Sequence, residues 1–167
     1  NLDKLVDAGI NVLKIEGRAK GPEYIYTVTK AYRTALDLIE NKEFTQEKAV
    51  TLTEELKKVF NRGFTTNFYL GTPTNDSWTK FYGSSATEKK VKLGQVDNYF
   101  TKTNIVSFKI EQNELNQGDE VCFTGPTTGF YKTQVNELWV NEKPSKEAKK
   151  GDEVTFKTEK RLRISDT

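Results

Sequence analysis

The chain has 167 residues, 35% of them hydrophobic and 30% charged, with a mean hydropathy of −0.71; this suits one ordinary domain or two small ones with a thin core under a charged surface. Twenty-six basic against 24 acidic residues leave a formal charge of +2, too little for a strong field toward phosphate backbones or anionic lipid. Histidine and methionine are absent and Cys122 is the single cysteine. That removes Ser-His-Asp and Cys-His machinery, histidine metal sites, internal disulfides and thiolate clusters from this chain.

No run approaches the ~20 apolar residues of a membrane helix, and the start carries no signal-peptide pattern, so a cytoplasmic protein without a membrane partner is expected. A first residue other than methionine reads as the beginning of a fragment. Leu2, Leu5 and Val6 form the apolar face of a short helix closed by Gly9. Asn11-Val12-Leu13-Lys14-Ile15-Glu16-Gly17 follows, an apolar run between glycines that reads as a buried strand.

From Pro22, the positions Ile25, Val28, Tyr32, Ala35, Leu36 and Ile39 keep the spacing of an amphipathic helix, with Gly21 as its cap and Glu23 where the helix dipole favours negative charge. Thr45 caps a second helix bearing Ala49, Leu52, Leu56, Val59 and Phe60 on one face and ending near Asn61-Arg62-Gly63. Helix, buried strand and helix in so short a stretch is the grammar of a parallel α/β sheet or barrel, whose other strands this chain does not supply. Residues 1–71 are therefore read as an incomplete α/β domain of a sheet or barrel, whose strand either pairs with residues outside this chain or packs in some other way here. Residues 72–90, polar and rich in turn formers, read as a linker pinned by Trp78, Phe81 and Tyr82.

Beyond residue 90 the apolar period changes to two: Val91 and Leu93; Val106, Phe108 and Ile110; Val121 and Phe123; Leu138 and Val140; Val154 and Phe156; Leu162 and Ile164. Six short strands predict a small closed or nearly closed antiparallel β-barrel over 91–167. The fold class expected for the whole chain is thus α+β: a strand and helices of an incomplete α/β sheet or TIM-like barrel, then a small β-barrel. Gly118-Asp119-Glu120-Val121-Cys122-Phe123 and Gly151-Asp152-Glu153-Val154-Thr155-Phe156 are near-copies, each a Gly-Asp turn launching a strand, and this structural reading is preferred to an acidic metal site. Gly125-Pro126-Thr127-Thr128-Gly129 reads as a hairpin connection whose hydroxyls could instead meet a partner. The lysines and arginines crowded into the last 25 residues are interleaved with acids and read as a solvated face.

Chemistry concentrates at Lys14-Ile15-Glu16-Gly17-Arg18. A carboxylate and a guanidinium at the C-terminal end of a barrel strand stand where α/β barrels form their sites, and the following helix start favours anions. Arg18 and Lys20 are the candidate binders of a carboxylate or phosphate, and Glu16 the candidate catalytic or orienting carboxylate; a structural ion pair for Glu16 is the competing reading. Arg62 is open between reaching the last helical carbonyls and reaching a ligand. No residue set here offers a metal site.

Three segments, Leu13-Lys14-Ile15-Glu16-Gly17-Arg18 followed by Lys20, Ala31-Tyr32-Arg33-Thr34-Ala35-Leu36-Asp37, and Asn61-Arg62-Gly63-Phe64-Thr65, together resemble the collagenase-like peptidases of unassigned catalytic type, especially their tRNA uridine hydroxylation branch. The resemblance covers residues 1 to about 71 most clearly. It implies that residues 11–40 supply the last strand and helix of an α/β barrel in a longer RNA-modifying enzyme, with the β-barrel as accessory or RNA-binding domain. It also implies a small anionic substrate such as prephenate, tRNA or another RNA as partner, and an iron–sulfur cluster held by cysteines outside this chain. A collagenase-like peptidase, the family's historical hydrolase label, and a non-catalytic binding module are the alternatives. Gly21 departs from the serine that relatives usually carry there, which removes a hydroxyl from the helix start and leaves its backbone N–H groups.

Overall fold

A computed structural model describes residues 1–72 and 82–167. The chain divides into two compact units, Asn1–Lys89 and Lys90–Thr167; Trp78 and Phe81 of the expected linker lie outside the described residues.

The first unit is helical, with α1 (Leu2–Asp7), α2 (Pro22–Glu40), α3 (Gln46–Lys58) and a 3-10 turn at Asn67–Leu70. The caps form as the sequence dictates. Gly21 is extended at φ −69°, Pro22 begins α2, and the Thr45 hydroxyl accepts the Lys48 N–H at 3.3 Å to start α3. Gly9, at φ +80°, follows α1 in the left-handed region. Helix α2 packs chiefly against α3, burying Val28, Ala31 and Ala35, so small side chains one turn apart set the contact. No residue of α3 is fully buried.

The expected buried strand is absent. Residues 11–17 form no ladder, and Val12 is 82% exposed. A strand needs a neighbour for its N–H and C=O groups, and the described residues of this unit hold no other strand. Tyr82 does not pin the linker either, being fully exposed.

The second unit is antiparallel β: β1 (Val96–Phe100), β2 (Ile105–Lys109), β3 (Leu115–Asn116), β4 (Glu120–Gly125), β5 (Gly129–Gln134), β6 (Leu138–Val140), β7 (Lys143–Ser145), β8 (Glu147–Ala148) and β9 (Glu153–Lys157). They form a five-stranded sheet in the order β1-β2-β9-β6-β7 and two separate pairs, β3-β8 and β4-β5. The mixed α+β class therefore holds, but the sheet is open and not a closed barrel. Two of the six expected strands are also not strands. At the C-terminal end, Ser165 takes φ +71° and the Asp166 carboxylate accepts the Arg163 N–H, turning the chain after the buried Leu162 and leaving Ile164 exposed. Near residue 93, Gly94 passes so close to the Lys109 carbonyl that no side chain fits.

The two Gly-Asp copies take the same geometry. Gly118 and Gly151 lie at φ +94° and +100°, and the Asp119 and Asp152 carboxylates accept backbone N–H groups of Asn116 and Lys149 at 2.8 Å each. Both launch strands whose Val and Phe point into one core. There Phe108 meets Phe123 and Phe156 edge-on with ring centroids 6.3 and 6.0 Å apart. Gly125–Gly129 closes the β4-β5 hairpin, and the buried Thr128 hydroxyl is turned inward to the buried Asp166 carboxylate.

Candidate functional site

The residues singled out for chemistry fall on a turn ahead of α2 and on the segment after α3. The Lys20 N–H donates to the Gly17 carbonyl at 3.0 Å, folding Gly17-Arg18-Ala19-Lys20 into a turn. A β-carbon on Gly17 would stand 2.9 Å from Cγ1 of Ile25, so glycine lets this turn lie on the first residues of α2.

Glu16 and Arg18 grip one another. The Arg18 backbone N–H and Nε donate to Glu16 Oε1 at 3.0 and 3.1 Å, and Nη2 donates to Oε2 at 3.4 Å. The backbone N–H of Arg18, and after it the guanidinium, hold the Glu16 carboxyl below the usual carboxylate range. Both side chains are exposed, Arg18 at 90%. Glu16 thus occupies the Nε/Nη2 edge, and the Nη1/Nη2 edge meets no acceptor among the described residues. A guanidinium held this way presents an oriented fork to a carboxylate or phosphate.

Lys20 does not join that pair. Its Nζ stands 3.1 Å from the ring centroid of Phe60, just past α3, a cation–π contact that ties the turn to the second helix of the pair. Arg62 is exposed, and the last carbonyls of α3 are met by its neighbour. Asn61 Nδ2 donates to the carbonyls of Lys57 and Val59 at 3.1 and 3.0 Å, and its Oδ1 accepts the Gly63 N–H at 3.1 Å. Gly63 takes the expected left-handed conformation at φ +83°. The sequence signal for Asn61 was present in Asn61-Arg62-Gly63, since asparagine bonds neighbouring backbone readily, whereas Phe60 read only as a core residue.

At the start of α2 the protein's own Glu23 stands beside Gly21. Its carboxylate folds back on Gly21, where any β-carbon would collide with it, so negative charge already stands at the positive end of the helix dipole. In the second helical motif, Arg33 donates to Asp37 through Nε at 2.8 Å and Nη2 at 2.5 Å, one turn apart and exposed, a surface pair of the kind that adds little stability. Among the described residues no group of three or more His, Cys, Asp or Glu side chains could hold a metal ion, and no helix is long and apolar enough to cross a membrane.

A cationic turn seated on two packed helices, followed by Asn-Arg-Gly after the second, is the arrangement carried by residues 1–79, which match the model of peptidase family U32. Those residues, a little under half of the chain, are what is similar to that family. Among curated proteins it is 40% identical to a collagenase of Porphyromonas gingivalis over 99% of its own length, covering 40% of that protein. It is 32% identical to tRNA hydroxylation protein P1 of Bacillus subtilis over 83% of its length, covering 32% of that protein, and 41% identical over 71 residues to tRNA hydroxylation protein P2 of the same organism. The chain thus spans about two-fifths or less of the length of these relatives. A solved C-terminal domain from Geobacillus thermoleovorans, of a protein described as a U32 peptidase, aligns with 46% of this chain and 95% of the domain at 24% identity and a TM-score of 0.44.

Proposed function

We propose that this chain is part of an RNA-modifying protein that hydroxylates uridine in tRNA, and that its 16–20 turn binds a small anionic substrate of the prephenate type. The observation that carries the reading is the Arg18 guanidinium, fixed along one edge by Glu16 and open along the other. A dicarboxylate would dock on the open fork through charge-assisted hydrogen bonds, with Lys20 close by in the same turn. The tRNA hydroxylation proteins among the relatives support the choice of reaction.

In this account Glu16 orients Arg18. A carboxyl held low is a weak proton acceptor, which favours orientation over general-base work. Arg62, exposed two residues after Phe60, is assigned to the same ligand or to RNA phosphate. Residues 11–40 serve in the complete protein as the last strand and helix of an α/β barrel; the exposed apolar side chains of residues 10–15 suit a strand that pairs outside this chain. The β unit serves as the accessory that holds RNA, and the protein works in the cytoplasm. An iron–sulfur cluster, if the complete protein carries one, draws on thiolates elsewhere: Cys122 is the single cysteine here and is half-buried in β4, while clusters take about four such ligands. Such a cluster would supply one-electron chemistry when bound.

Arg18→Ala in the complete protein, expressed in cells lacking the native gene, is expected to abolish tRNA uridine hydroxylation while leaving far-UV circular dichroism unchanged. Retention of normal hydroxylation would overturn the site. The collagenase name of the Porphyromonas relatives favours a second reading as peptidase. Digestion of unfolded collagen by purified complete protein, undiminished by removal of contaminants, would establish it.

A further inference from the structure

We propose that Phe60 is a positioning residue for the anion site: its ring sets where Lys20 presents its charge, and so makes the 16–20 turn selective for small dianions over monoanions. The inference rests on the anion-binding reading of Arg18 and Lys20 and names the residue that gives that site its spacing.

The turn has two independent anchors. At its N-terminal side Gly17 lies against Ile25 of α2, and at its C-terminal side the Lys20 ammonium lies over the Phe60 ring at 3.1 Å. Arg18 stands between them at the exposed tip. A lysine side chain has four rotatable bonds, so a free Lys20 would spread its charge over many positions. Seated on an aromatic face, the ammonium keeps its ring-directed side occupied while the remaining N–H bonds face outward.

Phe60 is itself held in place. The Asn61 side chain spans the carbonyls of Lys57 and Val59 and the N–H of Gly63. The Asn61 carbonyl accepts the Ser85 N–H at 2.8 Å, and the Lys57 carbonyl accepts the Thr87 N–H at 2.9 Å. The backbone that carries the Phe60 ring is therefore held on both sides. Two cations two residues apart, one oriented by Glu16 and the other by Phe60, form a preorganised pair. A ligand with two anionic groups can engage both at once, whereas a monoanion engages one.

The test uses malonate and acetate as probes on the 167-residue chain, followed through the side-chain NMR signals of Arg18 Nε–H and the Lys20 ε-methylene. In the wild type the Lys20 ε-methylene protons are expected upfield, as ring current requires. Malonate should shift both residues and bind at least about tenfold more tightly than acetate. Phe60→Leu, which keeps apolar bulk, should return the Lys20 signal to the free-lysine position and weaken malonate binding about threefold, with acetate little changed. Phe60→Trp should restore both. Equal malonate affinity in Phe60→Leu, or failure of Phe60→Trp to restore it, overturns the positioning role while the anion site stands. Absence of any malonate shift at Arg18 and Lys20 in the wild type overturns the anion site and this inference with it.

Discussion

The two units solve the same problem of burial in opposite ways. In the β unit, Val106, Phe108, Ile110, Leu115, Val121, Phe123, Val135, Leu138, Val154, Phe156 and Leu162 gather into one core. In the helical unit the fully buried apolar residues among those described are Val28, Ala31 and Ala35, while Val12, Ile10, Tyr26 and Phe68 stay at the surface. The difference teaches where each unit keeps its stability and its chemistry. The β unit is fixed by contacts distant in sequence, whereas the helical unit is fixed by caps, short turns and one helix pair, and it carries the exposed charged groups that chemistry needs.

The largest effect should come from the aromatic centre of the β unit. Phe108→Ala removes both edge-on ring contacts from a residue only 4% exposed and is expected to cost about 3–5 kcal/mol. Chemical denaturation followed by near-UV circular dichroism would show it, and a loss under 1 kcal/mol would break the picture of a single tight core. A smaller effect is expected in the helical unit. Thr45→Ala removes the N-cap of α3 and should cost about 1 kcal/mol of helix stability, read as faster amide hydrogen exchange at Lys48 and Ala49 with the β unit unaltered. Spread of that change into β2 and β9 would contradict the separation of the two.

The smallest effect is a titration. Glu16 is depressed by the Arg18 backbone N–H and guanidinium, so its grip on Arg18 is intact above the ordinary glutamate pKa. It is lost as pH falls through the lower folded value. Carboxyl 13C shifts of Glu16 should show a midpoint below the unperturbed value of about 4.3, moving only part of the way back in Arg18→Ala, which loses the guanidinium and keeps the backbone N–H. A midpoint at or above that value in the wild type would remove the fixed guanidinium edge on which the site depends.

Much of this was legible in the sequence. Pro22 and Thr45 announced the helix starts and the two Gly-Asp copies a repeated turn and strand, because each is settled by neighbours within a few residues, whereas α3 stops at Lys58 with Val59 already extended, short of the Asn61-Arg62-Gly63 end that the sequence suggested. Closure of the β unit was not legible, since strand order depends on which distant segments pair; alternation at Leu162 and Ile164 looks the same whether the chain continues or turns at Ser165. The run from Val12 to Ile15 shows the converse, a strand pattern without a ladder. At the site, the Glu16–Arg18 pair was visible from its spacing. The seating of Lys20 on Phe60 was hidden, because it arises only when α2 and α3 come together.

The account's central claim is that the complete protein hydroxylates RNA, and nucleoside mass spectrometry of total tRNA from cells with and without its gene tests it most directly. The account predicts loss of a hydroxylated uridine, or of the nucleosides derived from it, when the gene is removed. Identical nucleoside profiles in the two strains would contradict it.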